Sequence, residues 1–547
     1  MRFNRKFIIF IAIIIVSAFI RFYQLNNIPP GLTIDESSQG YNAFSLLHTG
    51  KDRYGQPFPI LFRLFDSIQV PLYTYLTIIP IYFFGNSIFS VRFISALSGI
   101  LLTAITFLLL TDFKSKRKSN LDNIAALMVA ISPWAVFYSR ICTEASLGIT
   151  LYALGFLCFY RSLKHRWLFP VATLILGLST HAYYSERIIS ILFIIGYTFL
   201  FRKELFLNRR LFILGISLFI TTQIPHLLIA NTGAFTRRVV QVNYFSEQFF
   251  QNNSGDLSRI PFGRLLFIVR EFASQYLAYF SPRNLFFDPD PQAVRSMPDI
   301  SVFYSWMIIP FVFGLRWLLV NRSLPLIRMI ILLILIAPFS ASLTRDPFST
   351  IRALAFLWGI TITIAFGFNY LLSILSSSKF RFLIFIAVIL LSISQLYIAY
   401  FVLLKYERSN NYGYSYMELL KQTEQMKDKK FVVDSPRQPA AGIMFAFFKR
   451  YDPNLIQKDL NPLFAGRYYD SFELDEPYVV DNIEVRPIFW QKDVCKKQVL
   501  VGDLLAISDG QAKEHKLSFI FDIKDTAGDV VLKAYETNPD VGCNLRR

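Results

Sequence analysis

Long apolar segments dominate the first three quarters of the chain and set its predicted architecture. A membrane-spanning helix needs about 20 mostly apolar residues, and by that length about eleven segments qualify. They cover residues 7–25, 92–112, 121–138, 144–162, 167–181, 188–202, 211–230, 301–320, 324–342, 352–374 and 380–404. The pattern therefore predicts a polytopic α-helical membrane protein.

The segment 70–85, "VPLYTYLTIIPIYFFG", is shorter and contains Pro71 and Pro80. If it stays inside the first external loop, all basic clusters fall on the cytoplasmic side, as positive-inside topology requires. If it crosses, the chain has twelve spans and the strongest internal clusters lie outside. We therefore predict eleven spans with a cytoplasmic N-terminus; the clusters are Arg2/Arg5/Lys6, "KSKRK" (114–118), "RSLKHR" (161–166), "RKELFLNRR" (202–210), Arg322 and Lys379/Arg381.

The periodicity changes after residue 404. An amphipathic stretch, "MELLKQTEQMKDKK", predicts a helix, and the apolar runs "FVVDS", "PYVVD", "QVLVGDLLAIS" and "LSFIFDI" predict strands. Residues 405–547 are thus expected to form a small extracytoplasmic α/β domain that follows a transmembrane domain, 1–404. The latter contains two external loops, 26–91 and 231–300. In the second, the stretch 264–280 predicts an amphipathic helix that either lies at the membrane interface or simply packs against the helix bundle.

Composition supports membrane embedding. The chain is 54% hydrophobic and 17% charged, whereas soluble proteins carry about 25% charged residues. Residues 405–547 hold 21 basic and 22 acidic residues, so the first 404, with the remaining 35 basic and 16 acidic, have a surplus of +19. A positive surplus in the membrane part indicates cytoplasmic loops on anionic lipid and argues against nucleic acid as a partner.

The four cysteines give little indication of function. Cys142 and Cys158 lie in apolar segments, and Cys495 and Cys543 lie in the tail. No CxxC pair or Cys/His cluster occurs, which argues against a thiolate metal site. Outside the cytoplasm, Cys495 and Cys543 can pair or remain free thiols, and the sequence leaves both alternatives open.

The predicted topology gathers unusual polar residues at the external ends of the helices. Ionisable residues at membrane depth are costly unless they are paired or face water, so they are candidates for function. For any single arginine, simple anchoring at the interface is an equal alternative. The set comprises Asp35, Glu36, Arg92, Arg140, Glu144, His181, Tyr184, Glu186, Arg187, Arg345 and Arg352.

The motif "PPGLTIDESSQGYNA" (29–43) places Asp35 and Glu36 after a turn and before a short helix. A carboxylate close to arginines suits group transfer from a lipid phosphate, since it can deprotonate an acceptor hydroxyl while the arginines neutralise the departing phosphate. An alternative is that Asp35 is only an N-cap, because Asp at a helix start is ordinary capping chemistry.

An ordered set of motifs favours the first interpretation. "RFYQL…PPGLTIDE…GYNA", "PLYTYL", "FGNSIFSVRFISALSG" and "SPWAVFYSR…E" resemble the glycosyltransferase-C superfamily, in its branch of protein O-mannosyltransferases and lipid A aminoarabinose transferases. The resemblance covers residues 7–230 and extends at most to 404. It implies an inverting transferase that uses a polyprenyl-phosphate sugar, with Asp35 as base and Glu36 orienting the acceptor or the base. Arg92 matches the arginine after the family's "FG" turn.

Topology alone assigns Arg140, Arg187, Arg345 and Arg352 to the donor phosphate and sugar, and Glu144, His181, Tyr184 and Glu186 to the surrounding pocket. No cofactor is predicted; a divalent cation stays open, although only Asp35 and Glu36 stand out as clustered ligands. The long external loop lacks an obvious inserted β-trefoil, so the acceptor hydroxyl can belong to a glycan, a lipid or a protein.

Two other functions compete with the transferase. A transporter or flippase predicts similar halves or helices broken at midplane, and the sequence shows no such duplication. A non-catalytic receptor predicts that Asp35→Asn is harmless. Compact loops favour a bacterial inner membrane, with the donor, the acceptor and the bilayer as partners.

Overall fold

Most of the chain folds into helices. The computed structural model describes residues 5–113, 120–436, 441–472 and 478–543, so the predicted basic cluster 114–118 and Arg2 lie outside the described residues. The helices before the tail are α1 Arg5–Phe22, α2 Ile34–Thr49, α3 Pro71–Phe84, α4 Ile88–Thr111, α5 Leu121–Ile131, α6 Pro133–Tyr138, α7 Glu144–Ser162, α8 Leu168–Ser179, α9 Tyr184–Leu200, α10 Arg202–Leu205, α11 Arg209–Leu228, α12 Gly233–Val242, α13 Glu247–Asn253, α14 Gly263–Ala278, α15 Pro282–Phe286, α16 Ile308–Val320, α17 Pro325–Ile336, α18 Pro338–Ser342, α19 Leu354–Ile374, α20 Ser378–Leu396 and α21 Leu404–Glu407. A π-helical stretch, Tyr397–Leu403, joins the last two.

Each of the eleven predicted spans overlaps at least one of these helices. By length and composition, five helical stretches of the described chain qualify as membrane spans: Ile88–Thr111, Arg202–Leu228, Pro325–Ser342, Thr350–Ile374 and Ser378–Glu407. The mostly helical membrane architecture is therefore confirmed, while the count of about eleven crossings stays a prediction.

Prolines explain where several helices end. Pro133 and Pro338 each stand at the first position of a new helix, where a missing N–H costs nothing but where the preceding helix cannot continue. The predicted segments 121–138 and 324–342 are accordingly each divided into two helices. The doubtful segment 70–85 forms α3, whose 14 residues span about 21 Å, less than the roughly 30 Å of a hydrocarbon core.

The described chain divides into two compact units. The first unit comprises Met1–Tyr23, Val70–Tyr73 and Arg92–Phe401, and the second comprises Gln24–Gln69, Thr74–Val91 and Val402–Arg547. Most of the predicted first external loop thus packs in the same unit as the tail. The domain boundary at 404/405 stays a prediction.

Within the first unit, small residues let helices approach closely. A Cβ on Gly314 of α16 would lie 2.0 Å from the Thr363 carbonyl oxygen, and one on Gly367 of α19 would lie 1.8 Å from that of Pro310. Both positions therefore need glycine, as expected for helices that pack through their backbones in a membrane.

The second unit contains a hairpin and a mixed sheet. The hairpin pairs β1 Phe62–Leu64 with β2 Ser67–Gln69. The six-stranded sheet has the order β4-β5-β3-β6-β8-β7, in which β3 runs parallel to β5 and β6. Its strands are β3 Phe431–Val433, β4 Tyr478–Val480, β5 Ile483–Val485, β6 Val499–Gly502, β7 Ser518–Lys524 and β8 Val530–Glu536, and its helices are α22 Tyr414–Gln425, α23 Ala441–Lys449, α24 Pro453–Phe464, α25 Trp490–Asp493, α26 Asp509–Glu514 and α27 Pro539–Gly542.

A disulfide joins Cys495 to Cys543, which resolves the alternative that the sequence left open. It closes a long loop across the end of the tail. Such a bridge is consistent with the predicted extracytoplasmic location, because disulfides persist in oxidising compartments.

Candidate active site

The two adjacent carboxylates at the start of α2 have different surroundings. Thr33 is the N-cap: its Oγ1 accepts from the Glu36 N–H at 3.2 Å, and Glu36 Oε2 accepts from the Thr33 N–H at 2.9 Å. This is a reciprocal capping box. The alternative that Asp35 is the N-cap is therefore wrong, because Asp35 is the second residue inside the helix. Glu36 is buried, whereas Asp35 is exposed.

The turn before α2 has a fixed conformation. Gly31 has a φ of +82°, and a Cβ there would lie 2.4 Å from the Tyr412 carbonyl oxygen. Gly413, with a φ of +65°, approaches the Leu32 carbonyl oxygen in the same way. Only glycine meets both requirements, the left-handed backbone and the close approach. The entry to α2 is thus defined by two glycines, one in the loop and one in the tail.

Arg140, predicted to hold the donor phosphate, binds the end of a helix. Its Nη1 donates to the carbonyl oxygens of Ile20 and Arg21, and its Nη2 donates to that of Tyr23 at 2.7 Å. Its guanidinium also stacks over the rings of Tyr400 and Phe401. These carbonyls are the unsatisfied acceptors at the C-terminal end of α1, where a cation is favoured.

Arg21 makes the equivalent contacts for α5. It is fully buried and donates to the carbonyl oxygens of Ala130 and Val129 at 3.1 and 3.3 Å, and to Ser17 Oγ at 2.8 Å. Arg21 belongs to the motif "RFYQL", which by itself predicts no role for it. Both guanidinium groups face the negative ends of helix dipoles, which explains how these charges are accommodated in the bundle.

Arg187, His181 and Tyr184 lie together at the ends of α8, α9 and α11. Arg187 stacks over the Tyr184 ring and its Nη2 donates to His226 Nε2 at 3.1 Å. Because arginine can only donate, His226 is a neutral imidazole whose Nδ1–H donates to Gln223 Oε1 at 3.1 Å. The rings of His181 and His226 stack with centroids 4.1 Å apart.

Arg345 and Arg352 lie in one polar segment. Arg345 is exposed, donates to the Asn243 carbonyl oxygen and stacks over the Phe249 ring. Arg352 Nη1 donates to Thr344 Oγ1 at 2.6 Å and pairs with Asp346 at 3.0 Å.

Asp346 pairs with a second arginine as well. Arg295 contacts Asp346 at 3.2 Å and also lies 3.5 Å from the buried carboxylate of Asp290. Two guanidinium groups therefore share one carboxylate. Of the four charged residues, Arg352 is predicted from the sequence as a site residue, and Asp290, Arg295 and Asp346 are not.

Tyr183, in the turn between α8 and α9, lies near charges of both signs. Burial raises the pKa of its phenol to about 12, and the Glu144 carboxylate acts in the same direction, whereas the guanidinium groups of Arg352, Arg238 and Arg295 act in the opposite direction. Arg238, on α12, is exposed. Arginines from three separate stretches of the chain thus act on one turn.

The remaining predicted residues are more dispersed. Arg92 is fully buried on α4, and Glu144 begins α7 directly after its N-cap, Thr143. Glu186 is buried, and its Oε2 has no hydrogen-bond partner among the described residues. Its side chain lies against Gly148 of α7. Within the described ranges, no group of three or more His, Cys, Asp and Glu could hold a metal ion.

Five residues of these clusters are not among the site residues predicted from the sequence, and the reasons can be identified. His226 lies inside the predicted span 211–230, so an ionisable residue at membrane depth was available as a signal. Asp346 directly follows the selected Arg345. Arg238, Asp290 and Arg295 lie in the long loop, where spacing gives no indication of which charges meet.

Comparisons with known proteins agree with the predicted family. A family model described as dolichyl-phosphate-mannose-protein mannosyltransferase matches residues 69–229. The fold is similar to the crystal structure of ArnT from Cupriavidus metallidurans in the apo state, with a TM-score of 0.55 and 12% identity over 96% of this chain and 97% of that chain. ArnT from the same organism bound to undecaprenyl phosphate gives a TM-score of 0.54 at 13% identity, with the same coverage of both chains.

A more distant similarity is to the archaeal oligosaccharyltransferase AglB from Archaeoglobus fulgidus in complex with an inhibitory peptide and a dolichol-phosphate. It has a TM-score of 0.49 and 12% identity over 98% of this chain and 74% of that chain. No curated protein sequence matches significantly.

The family model and the shared fold confirm the resemblance to the glycosyltransferase-C superfamily and its protein O-mannosyltransferase and aminoarabinose transferase-like branch. The description of that family model agrees with the predicted enzyme class, a glycosyltransferase.

Proposed function

We propose that this chain moves a sugar from a polyprenyl-phosphate donor to an acceptor hydroxyl at the outer face of the membrane, with inversion at the anomeric carbon. Asp35 is the general base. The observation that carries this assignment is the contrast within the acidic pair: the capping box occupies Glu36, while Asp35 is exposed at the helix N-terminus, where a carboxylate is stabilised in its charged form.

The reaction is a single displacement. Asp35 accepts the proton of the acceptor hydroxyl as its oxygen attacks the anomeric carbon from the face opposite the phosphate. The bond between the anomeric carbon and the phosphate oxygen breaks, and its electron pair leaves with the polyprenyl phosphate. The donor phosphodiester thereby becomes a phosphomonoester with one more negative charge, and guanidinium groups stabilise that charge as it develops.

The phosphate and sugar contacts are assigned to Arg187, Arg345 and Arg352, with Arg92 retained from the family resemblance. Three guanidinium groups, those of Arg352, Arg238 and Arg295, act on Tyr183 together with the Glu144 carboxylate, and this gathering of arginines supports the assignment for Arg352. Arg140 is assigned to α1 instead, because its contacts with three carbonyl oxygens already occupy its guanidinium. Glu144, His181, Tyr184 and Glu186 are assigned to supporting the arginines and the surrounding pocket.

The proposed setting is the inner membrane of a bacterium, with the N-terminus in the cytoplasm and the tail outside. Undecaprenyl phosphate bound to ArnT, which shares this fold, supports a polyprenyl-phosphate donor. The mannosyltransferase description of the matching family model makes mannose the first sugar to test, and the acceptor is a hydroxyl of a glycan, a lipid or a protein.

The test is transfer by the purified full chain in lipid nanodiscs, supplied with radiolabelled undecaprenyl-phosphate monosaccharides that include mannose. Wild-type protein is expected to transfer label with inversion, which NMR of the product's anomeric proton reports. Asp35→Asn is expected to insert and fold normally but to lose transfer. The matched control is Asp529→Asn, which changes an exposed carboxylate in the β7–β8 turn of the same unit. Retained turnover by Asp35→Asn excludes the mechanism.

A further inference from the structure

Helix α2 is buried along most of its length although it is largely polar. Residues Glu36 to Leu46 are all buried, and they include three serines, Gln39 and Asn42. Polar side chains in such a position need partners, because an unpaired buried polar group is costly. The partners of α2 within the second unit are therefore informative about what holds Asp35.

Helix α23 of the tail packs directly on the middle of α2. A Cβ on Gly40 would lie 2.5 Å from a ring carbon of Phe447, so the aromatic ring fills the space that a side chain would otherwise occupy. One residue later, the Tyr41 hydroxyl donates to the Tyr451 carbonyl oxygen at 2.9 Å. Both contacts join α2 to residues more than 400 positions away in the sequence.

Gln457 of α24 forms hydrogen bonds at the C-terminal end of α2. Its side-chain Nε2 lies 3.0 Å from Ser45 Oγ, 2.8 Å from Thr49 Oγ1 and 3.0 Å from the Asp52 carbonyl oxygen. A single amide thus contacts the last turn of α2 and the loop that follows it. Gln457 is itself almost fully buried, so water does not readily replace these hydrogen bonds.

Tyr468 forms hydrogen bonds with the loop that follows α2. Its hydroxyl donates to Asp52 Oδ2 at 2.6 Å and accepts from the Arg63 N–H at 2.9 Å. Asp52 Oδ1 accepts from the N–H groups of Tyr54 and Gln56 at 3.0 and 2.9 Å, so all its oxygens are occupied. Nearby, the Arg63 guanidinium lies 3.7 Å from the Phe464 ring centroid.

We propose that the tail positions the catalytic helix, with Gln457 and Tyr468 as positioning residues that act on Asp35 through α2. This inference rests on the proposed function, since it assumes that Asp35 is the base. Its basis is that hydrogen bonds and ring contacts reach α2 from α23 and α24, and that Tyr468 holds the loop that directly follows α2. The tail then contributes to the chemical step through α2.

The experiment compares two similar substitutions in the full chain. Gln457→Met keeps the size of the side chain but removes the donors to α2. Gln511→Met, the matched control, removes a glutamine that caps α26 inside the tail. Displacing a catalytic group by about 1 Å costs up to roughly 100-fold in rate. For Gln457→Met we expect kcat to fall about 10- to 100-fold while KM for the undecaprenyl-phosphate sugar changes less than about twofold.

Tyr468→Phe provides a second variant that removes a single hydroxyl and is expected to lower kcat in the same way. Wild-type kcat in both variants, or an equal loss in Gln511→Met, overturns the positioning role. If Asp35→Asn is inactive and Gln457→Met is fully active, only the positioning role fails. If Asp35→Asn is active, the proposed function fails and the positioning role fails with it.

Discussion

Two groups of arginines in the first unit differ in what their guanidinium groups contact. Arg21 and Arg140 are fully buried and donate to backbone carbonyl oxygens at the ends of α5 and α1. Arg187 and Arg352 are only partly buried and have side-chain partners, namely His226 in one case and Asp346 in the other, while Arg187 Nε also makes a long contact of 3.5 Å with the Thr180 carbonyl oxygen. The same residue type therefore completes helices in one region and remains able to meet a ligand in the other.

This difference changes how an arginine near the membrane surface should be interpreted. Carbonyl oxygens at a helix end are permanent partners, so a guanidinium bound to them cannot move to a substrate without leaving those acceptors unsatisfied. A histidine or carboxylate partner can instead hold the arginine in place while other N–H groups face outward. Burial alone does not identify a binding arginine, and the chemical nature of its partners has to be considered together with it.

The largest expected effect is on folding. Arg140→Ala removes the donors that satisfy two carbonyl oxygens of α1 and that of Tyr23 directly after it, and we expect a loss of about 3–5 kcal/mol in unfolding free energy. Arg352→Ala, which breaks a more exposed ion pair, is expected to lose less than about 1 kcal/mol. Thermal unfolding in detergent measures both. An Arg140→Ala protein as stable as the wild type would remove the distinction between the two groups.

The reverse order is expected for activity. Arg352→Ala should lower kcat/KM about 100- to 1,000-fold, because it removes a cation from the proposed phosphate site. Arg352→Lys should recover only part of the loss, since lysine keeps the charge but not the two-pronged geometry. Arg270→Ala, an exposed arginine on α14, is the control and should keep its activity. Equal activity of the two alanine variants would contradict the assignment.

A third prediction concerns the buried carboxylate of Asp52 in the second unit. Burial raises the pKa of Asp52 to about 6, against the hydrogen bond from Tyr468. A folded-state pKa above the unfolded one favours the folded protein when the group is protonated, so this contribution is present at low pH and is lost as the pH rises through 6. The full contribution to the unfolding free energy is about 3 kcal/mol, and roughly 1 kcal/mol of it is lost as the pH rises from 5 to 7.

Unfolding of the full chain at pH 5 and pH 7 measures this contribution. Asp52→Asn should flatten the difference, because asparagine does not titrate. Asp529→Asn changes an exposed carboxylate and should leave the difference unchanged. A wild-type protein that is less stable at pH 5 than at pH 7, together with an unaltered difference in Asp52→Asn, would mean that other groups dominate.

The smallest expected effect concerns Glu36 and distinguishes its role from that of Asp35. Glu36→Gln keeps the reciprocal hydrogen bond of the capping box and should leave unfolding unchanged, whereas Glu36→Ala should lose about 1 kcal/mol. If Glu36 only caps α2, the Gln variant also keeps its turnover. A loss of turnover in Glu36→Gln at unchanged stability would give Glu36 a direct part in orienting the acceptor or the base.

Sequence alone predicts the helical segments well because length and apolarity decide them. The divisions at Pro133 and Pro338 follow from the missing N–H of proline, but the length criterion does not reveal them. In the tail, α22 ends at Gln425, before the predicted "KDKK" end, and β8 was not predicted. Its alternation is weak, and pairing with β6 and β7 determines it.

The candidate site was only partly predictable for a similar reason. Asp35 and Glu36 were found from the motif and the family resemblance. Their different environments depend on Thr33, whose spacing to Glu36 is that of a capping box. The roles of Arg140 and Arg295 depend on which backbone and side-chain groups meet after folding. The support from Gln457 depends on a contact between distant parts of the chain, which local patterns do not reveal.

The most direct test of Asp35 as general base is the single-turnover rate constant with donor already bound. In this measurement donor affinity and product release do not contribute. If Asp35 is the base, we expect Asp35→Asn to lower this rate constant by about 100- to 10,000-fold, the usual contribution of a general base, and Asp529→Asn to match the wild type. A rate constant for Asp35→Asn close to that of the wild type would contradict the role of Asp35 as general base.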